Sequence, residues 1–277
     1  MTTASNELVK TTPSTLTAGW ALLKQAVKGT EHDYTEGSLG RAVFLLSVPM
    51  ILEMLMESVF GILDVFWVGR LGPDAVAAVG LTESLLTIVF ALAMGLSMST
   101  TALVARRIGE KRPEDAARTA VQAIAVGLLG AIPTTVAGLL WPRELLSLMG
   151  APANVVETGW SYTAWILGGN ASILLLFLIN AVFRGAGDAT VAMRSLWLAN
   201  AVNLVLDPCL IFGLGPFPRM GITGAAIGTT VGRAVGVLYQ FACLGRGRGR
   251  VQVMRRHVRF DPALALHLLR ISWGGIL

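Results

Sequence analysis

Charge is what this sequence has least of. Only 14% of its 277 residues are Asp, Glu, Lys or Arg, against about 25% in a soluble domain. With 54% hydrophobic residues, that shortage excludes a chain that keeps most of its surface in water. Cysteine is nearly absent. Cys209 and Cys243 fall in separate apolar segments, which excludes a disulfide framework and a cysteine metal site, and they read as small buried hydrophobes. His32, His257 and His267 all lie outside the apolar segments, so no histidine proton relay is available. No Ser/His/Asp set, metal cluster or nucleotide fingerprint occurs, and the turn Gly185-Ala186-Gly187-Asp188 is not followed by the Gly-Lys-Ser/Thr of a phosphate loop. The chain therefore reads as something other than an enzyme, with no cofactor and no nucleic-acid partner. A cleavable signal peptide is not expected, because the first apolar run begins near Leu39 and is too long for one.

What is present is long apolar runs. A membrane span needs roughly 20 apolar residues. Six segments qualify, at about 39–68, 75–105, 119–141, 158–183, 194–214 and 222–244. All are rich in Gly and Ala, which lets helices approach closely. The expected architecture is an all-α membrane protein, a six-helix transmembrane bundle over residues 39–245. Before it, residues 1–38 form a polar leader, in which Leu16–Val27 is either weakly amphipathic at a membrane surface or plainly disordered. After it comes a basic linker, 246–260.

Basic residues set the orientation. If the leader is cytoplasmic, the segments on that side hold seventeen Lys and Arg, and the opposite loops hold only Arg70, Arg143 and Arg219. The bias of basic residues toward the cytoplasm thus places the leader and the linker inside, in a multi-pass protein of the plasma membrane. It also explains the net charge of +5. Residues 261–277 open with a short amphipathic stretch and then an apolar run, loosely similar to the start of the first span. Transporters are often built from two related halves, so this tail reads as the opening of a second repeat that is cut off.

Polar groups inside apolar spans are costly and mark functional sites. Asp207 is the first. With Asn200 and Asn203 it falls at i, i+3 and i+7 on the fifth span, which is one helix face. Glu53, Glu57 and Asp64 lie at 0, +4 and +11 on the first span and also point one way. Asn180 and Asn170 on the fourth span read as packing amides when taken alone. Arg233, in the sixth span, either pairs with a buried carboxylate or extends its head to the interface. Thr223, Thr229 and Thr230 on that span could line a cavity. Buried carboxylates with amide neighbours are the chemistry that binds H⁺ or Na⁺.

Several stretches together resemble the multidrug and toxic compound extrusion (MATE) family. They are Glu57 to Gly80, Ala102 to Glu110 with Glu114 to Ala117, Asn180 to Asp188, Asn200 to Pro208 with Leu210 to Gly213, and Gly221 to Thr229. They occur in family order and at family spacing, from about Leu39 to the C-terminus. The resemblance implies one lobe of a twelve-helix, two-lobed fold, with the start of helix seven and a missing second lobe. It implies export of cationic or amphipathic small molecules in exchange for H⁺ or Na⁺, from a membrane-lipid setting. It also implies a cation site made of Asp64, Asn180, Asn203 and Asp207 with a sixth-helix threonine, either Thr223 or Thr229. Glu53 and Glu57 are less usual for the family and would widen the acidic cavity, with Asn200 and Arg233 as further lining. Two rivals stand beside this reading. A lipid-linked oligosaccharide flippase would want more basic residues in the cavity. A membrane enzyme acting on a polyprenyl phosphate would need a carboxylate cluster for Mg²⁺, for which Glu110, Glu114 and Asp115 are the nearest approach.

Overall fold

Six apolar helical spans follow one another along the chain, joined by short connections. The computed structural model describes residues 23–27, 29, 39–247 and 250–276. The leader stretch Leu16–Val27 lies largely outside these residues. Among those described, the helices are α1 (Leu39–Gly69), α2 (Pro73–Gly109), α3 (Pro113–Leu140), the short α4 (Pro142–Leu148), α5 (Ala153–Gly168), α6 (Asn170–Gly185), α7 (Ala189–Phe212), α8 (Ile222–Arg246) and α9 (Pro262–Ile276). Proline at the first helical position starts α2, α3 and α4, where its missing N–H costs nothing. Gly213, at φ +73, closes α7 in the left-handed conformation that glycine alone enters freely, and its N–H returns to the carbonyl of Cys209.

Six spans are long and apolar enough to cross a membrane: α1, α2, α3, α5 with α6, α7 and α8. They correspond to the six expected segments within a few residues at each end. The fourth span is not one unbroken helix. At Gly169 the backbone leaves helical geometry, with φ −88 and ψ 5, and α6 restarts at Asn170. The break frees the carbonyl of Leu167. The fully buried Asn170 fills it, its Nδ2 donating to that oxygen at 2.7 Å and to Thr134 Oγ1 at 2.7 Å. Asn170 is therefore a structural amide, as expected.

The tightest seam runs between α7 and α8. Gly224, Gly228, Gly232 and Gly236 recur every fourth residue of α8 and so share one face. A methyl group added at Gly232 would stand 2.6 Å from the carbonyl oxygen of Ala199, and one at Gly224 would stand 2.6 Å from that of Leu210. At Gly228 it would run into Asp207 Oδ1 itself. The glycine face brings the backbone of α8 up against α7 and sets the polar groups of both helices side by side. Hydroxyl groups join other pairs: Thr82 and Thr163 Oγ1 lie 2.8 Å apart between α2 and α5, and Thr101 Oγ1 donates to the carbonyl of Ala181 across α2 and α6.

α1 is held differently. It carries Pro49 within the helix, and its outward face exposes a line of large apolar side chains, with Met54 68% and Ile62 71% exposed. Its hold on the bundle is mostly to α7. Beyond α8, the linker folds back on α3. The buried Gln122 side chain donates to the carbonyl of Arg259 at 2.6 Å and accepts from the backbone N–H of Asp261 at 3.0 Å. α9 then lies on α2 and α3, with Leu268 buried beside Leu103 and Ala123 and with Ser272 Oγ 2.8 Å from Ser99 Oγ.

Candidate cation site

Of the three carboxylates that their spacing sets on one side of α1, Glu53 is buried, Asp64 half-buried and Glu57 exposed. Each meets its own polar partners, so they form three levels along the bundle. At the deepest level of α7, Asp207 is 1% exposed and Asn203 2%. Asn203 Nδ2 donates to Asp207 Oδ1 at 3.0 Å and to Thr229 Oγ1 on α8 at 2.9 Å. The carboxyl group of Asp64 faces that of Asp207 within hydrogen-bonding reach. Pro208 follows directly and removes one helical N–H donor beside the site.

This level is short of donors. Asp64 Oδ1 and Asn203 Oδ1 are buried with no hydrogen-bond partner, and both are acceptors. Buried polar atoms are normally paired. One carboxyl oxygen of Asp64 and the amide oxygen of Asn203 thus stand unpartnered next to Asp207. Two carboxyl groups can bond to one another only through a proton, and a Na⁺ between them would likewise relieve their repulsion. Asp64, Asn203, Asp207 and Thr229 are thus brought together. Of the two candidate threonines, the structure puts Thr229 here. Thr223 pairs instead with Ser161, Oγ1 to Oγ at 2.6 Å.

Asn180 is not at this level, which corrects the expected grouping. Its Oδ1 accepts from Ser195 Oγ at 3.0 Å and from Gln240 Nε2 at 2.6 Å. Ser195 precedes Asp207 by twelve residues of α7, or about 18 Å of helix at 1.5 Å per residue. Asn180 belongs with Glu53, to whose Oε1 its Nδ2 donates at 3.4 Å, and with Arg184, which lies 3.6 Å from that same oxygen. Family order on the chain could not reveal this, because the depth of an α6 residue depends on the break at Gly169.

Between the two levels, Asn200 Nδ2 donates to Glu57 Oε2 at 3.3 Å. Arg233 is half-buried. Glu57, Tyr162, Asp64 and Glu83 are the groups whose charge acts on its guanidinium, and no direct ion pair is closed among the described residues. Tyr162, Ser195, Arg184 and Gln240 were not singled out from the sequence. Gln240 and Ser195 could have been, since each is a polar side chain on an inward helix face. The Glu110, Glu114 and Asp115 group is taken up by arginines. Arg106 and Arg107 donate to Glu110 at 2.8 and 3.2 Å, Arg112 to Asp115 at 2.6 Å, and Arg256 to Glu114. The Arg106 hydrogen bond, with help from Arg107, holds the Glu110 carboxyl below the usual range. These carboxylates are held in ion pairs with arginines, so they do not form an open carboxylate cluster among the described residues.

Six apolar spans around a buried carboxyl pair define a multi-pass membrane protein with an internal polar site. The chain belongs to the MatE family, whose profile matches residues 49–209. Over 239 residues it is 28% identical to the "Probable multidrug resistance protein YoeA" of Bacillus subtilis, spanning 85% of this chain and 52% of that protein. It is 29% identical over 245 residues to the "FAD transporter" of Shewanella oneidensis, spanning 88% of this chain and 52% of that protein. A crystal structure of MATE in complex with MaL6 superposes with a TM-score of 0.79 at 30% identity, covering 91% of this chain and 54% of that one. The chain thus spans about half the length of the relatives it matches.

Proposed function

We propose that the chain forms the six-helix lobe that carries the coupling-cation site of an antiporter exporting cationic or amphipathic compounds. Asp64 and Asp207 take up the H⁺ or Na⁺, and Asn203 and Thr229 supply neutral oxygen and amide contacts. The observation that carries this reading is the Asp64–Asp207 pair between α1 and α7, beside two vacant acceptor oxygens. α1 is only loosely seated and contains Pro49, so a cation that joins it to α7 can bias its position. With the cation bound, the two helices are drawn together. Without it, the paired charges repel, and the acidic cavity suits a cationic molecule instead. One site then serves cation and cargo alternately, which is the requirement for exchange.

The ends where α2 meets α3 and α6 meets α7, together with the linker after α8, carry most of the arginines. We place those ends and the linker in the cytoplasm of a cell whose plasma membrane holds the protein. A flippase for anionic lipid-linked sugars is not favoured, because the acidic Glu57, Asp64 and Glu83 act on Arg233, the one basic candidate within the spans.

The reading is tested by Thr229→Val, which keeps the shape and removes the hydroxyl that Asn203 bonds. Losing one such bond costs about 1–1.5 kcal/mol. Cation affinity, read as the Na⁺ or H⁺ concentration for half-maximal exchange in membrane vesicles, should weaken about tenfold. Thr223→Val should leave it unchanged. Equal effects of the two variants would remove Thr229, and with it the α7–α8 seam, from the site.

A further inference from the structure

The second polar level has the same imbalance as the first, and nothing in the proposed exchange uses it. Glu53 is 9% exposed and Gln240 is fully buried. Glu53 Oε1 accepts from Asn180 Nδ2 and lies 3.6 Å from the Arg184 guanidinium, whereas Glu53 Oε2 has no partner. Gln240 spends its Nε2 on Asn180 Oδ1, Ser195 Oγ and the carbonyl of Leu176, and its own Oε1 has none. Both vacancies are acceptors. What such a network lacks is a donor, and the smallest one is a proton on the carboxylate. A Na⁺ is disfavoured there because Arg184 already brings a positive charge against the same carboxylate.

We infer that Glu53 is a second proton-binding carboxyl, separate from the Asp64–Asp207 pair, which exchanges its proton at the end of the bundle where α6 turns into α7. Arg184 occupies the last turn of α6, and its side chain keeps 23% of its exposure, so the site lies close to water at that end. The proton adds to Glu53 Oε2 and forms an O–H bond. Arg184 then loses its charged partner and turns to solvent. On release the proton passes to water and the ion pair re-forms. The charged groups acting on Glu53 are Arg184 from α6 and Glu57 from its own helix. α7 and α8 bring the neutral Ser195 and Gln240 to the same cluster. α1 reaches α6 through these side chains, so the protonation state of Glu53 sets how firmly that end of α1 is held.

The test uses the purified chain in lipid nanodiscs and the infrared difference spectrum between mildly acidic and alkaline pH, in the region of the protonated carboxyl stretch. Glu53→Gln should remove a carboxyl band that persists in Asp64→Asn and in Asp207→Asn. In Arg184→Gln that band should remain and move its midpoint alkaline by about one pH unit, a tenfold gain in proton affinity on losing a neighbouring positive charge. Arg184→Gln keeps the test decisive should Glu53→Gln fold poorly. A spectrum that is the same in wild type and Glu53→Gln, or a midpoint indifferent to Arg184, would mean that Glu53 stays ionised as a fixed structural ion pair and would overturn the inference. The outcome is separable from the exchange reading, because the Asp64 and Asp207 bands are scored in the same spectra.

Discussion

Asp207→Asn should abolish coupled exchange while leaving the bundle folded. In energised membrane vesicles containing the protein, substrate-driven counterflow of H⁺ or Na⁺ should fall by about 100-fold or more, the scale of losing some 3 kcal/mol of cation stabilisation. The reason is local. The amide keeps the size of the carboxyl group, so Gly228 and the α7–α8 seam still fit around it. Asn203 still has an oxygen to which it can donate. What disappears is the second negative charge of the pair with Asp64, and with it the group that takes up the cation. Thermal stability should change little or rise, since a buried charge with incomplete partners is costly. Wild-type counterflow in this variant would remove Asp207 from coupling.

Gly232→Val should be the most damaging substitution for the fold. In most helices, replacing glycine gains up to about 1 kcal/mol from backbone entropy. Here the first added carbon lies 2.6 Å from the carbonyl oxygen of Ala199 and 3.1 Å from Asn203 Cβ. Those are backbone and a short buried side chain, so nothing can swing aside. The seam must open, at a cost of about 1–3 kcal/mol or more, and Asn203 is pushed from Asp207 and Thr229. The melting temperature in detergent should drop by several degrees and cation binding should weaken with it. Gly80→Ala is the matching control. Gly80 lies in α2, exposed, with nothing near its added methyl, and its variant should be as stable as wild type or slightly more so. A melting temperature for Gly232→Val equal to wild type would contradict the close α7–α8 contact.

Much of this architecture could be read from the chain. Six apolar runs of membrane length, separated by Gly, Pro and Arg, admit little besides six helices, and helical period alone set Glu53, Glu57 and Asp64 on one side of α1, though not that Glu57 stays exposed there. Pairings between helices were less legible. Asn203 and Asp207 lie one turn apart on α7, so local spacing put them together. Asn180 lies on another span, and its level depends on the break at Gly169 and the length of α6. Thr223 and Thr229 differ by six residues, and only the packing of α8 against α7 tells which one meets Asn203. The role of the α8 glycines was hidden for the same reason: a Gly-rich span announces close packing without naming the helix it packs on. α9 shows the converse. Its amphipathic opening was evident, but its seat on α2 and α3, through Leu268 and Ser272, is a tertiary fact.

The account stands or falls on whether Asp64 and Asp207 act as one cation site. The direct measurement is equilibrium uptake of H⁺ and of radiolabelled Na⁺ by the purified protein in nanodiscs, for wild type, Asp64→Asn, Asp207→Asn and the double variant. A shared site predicts that either single substitution removes the same bound cation and that the double variant loses no more than either single one. Losses that add, with each single variant still binding its own cation, would contradict it.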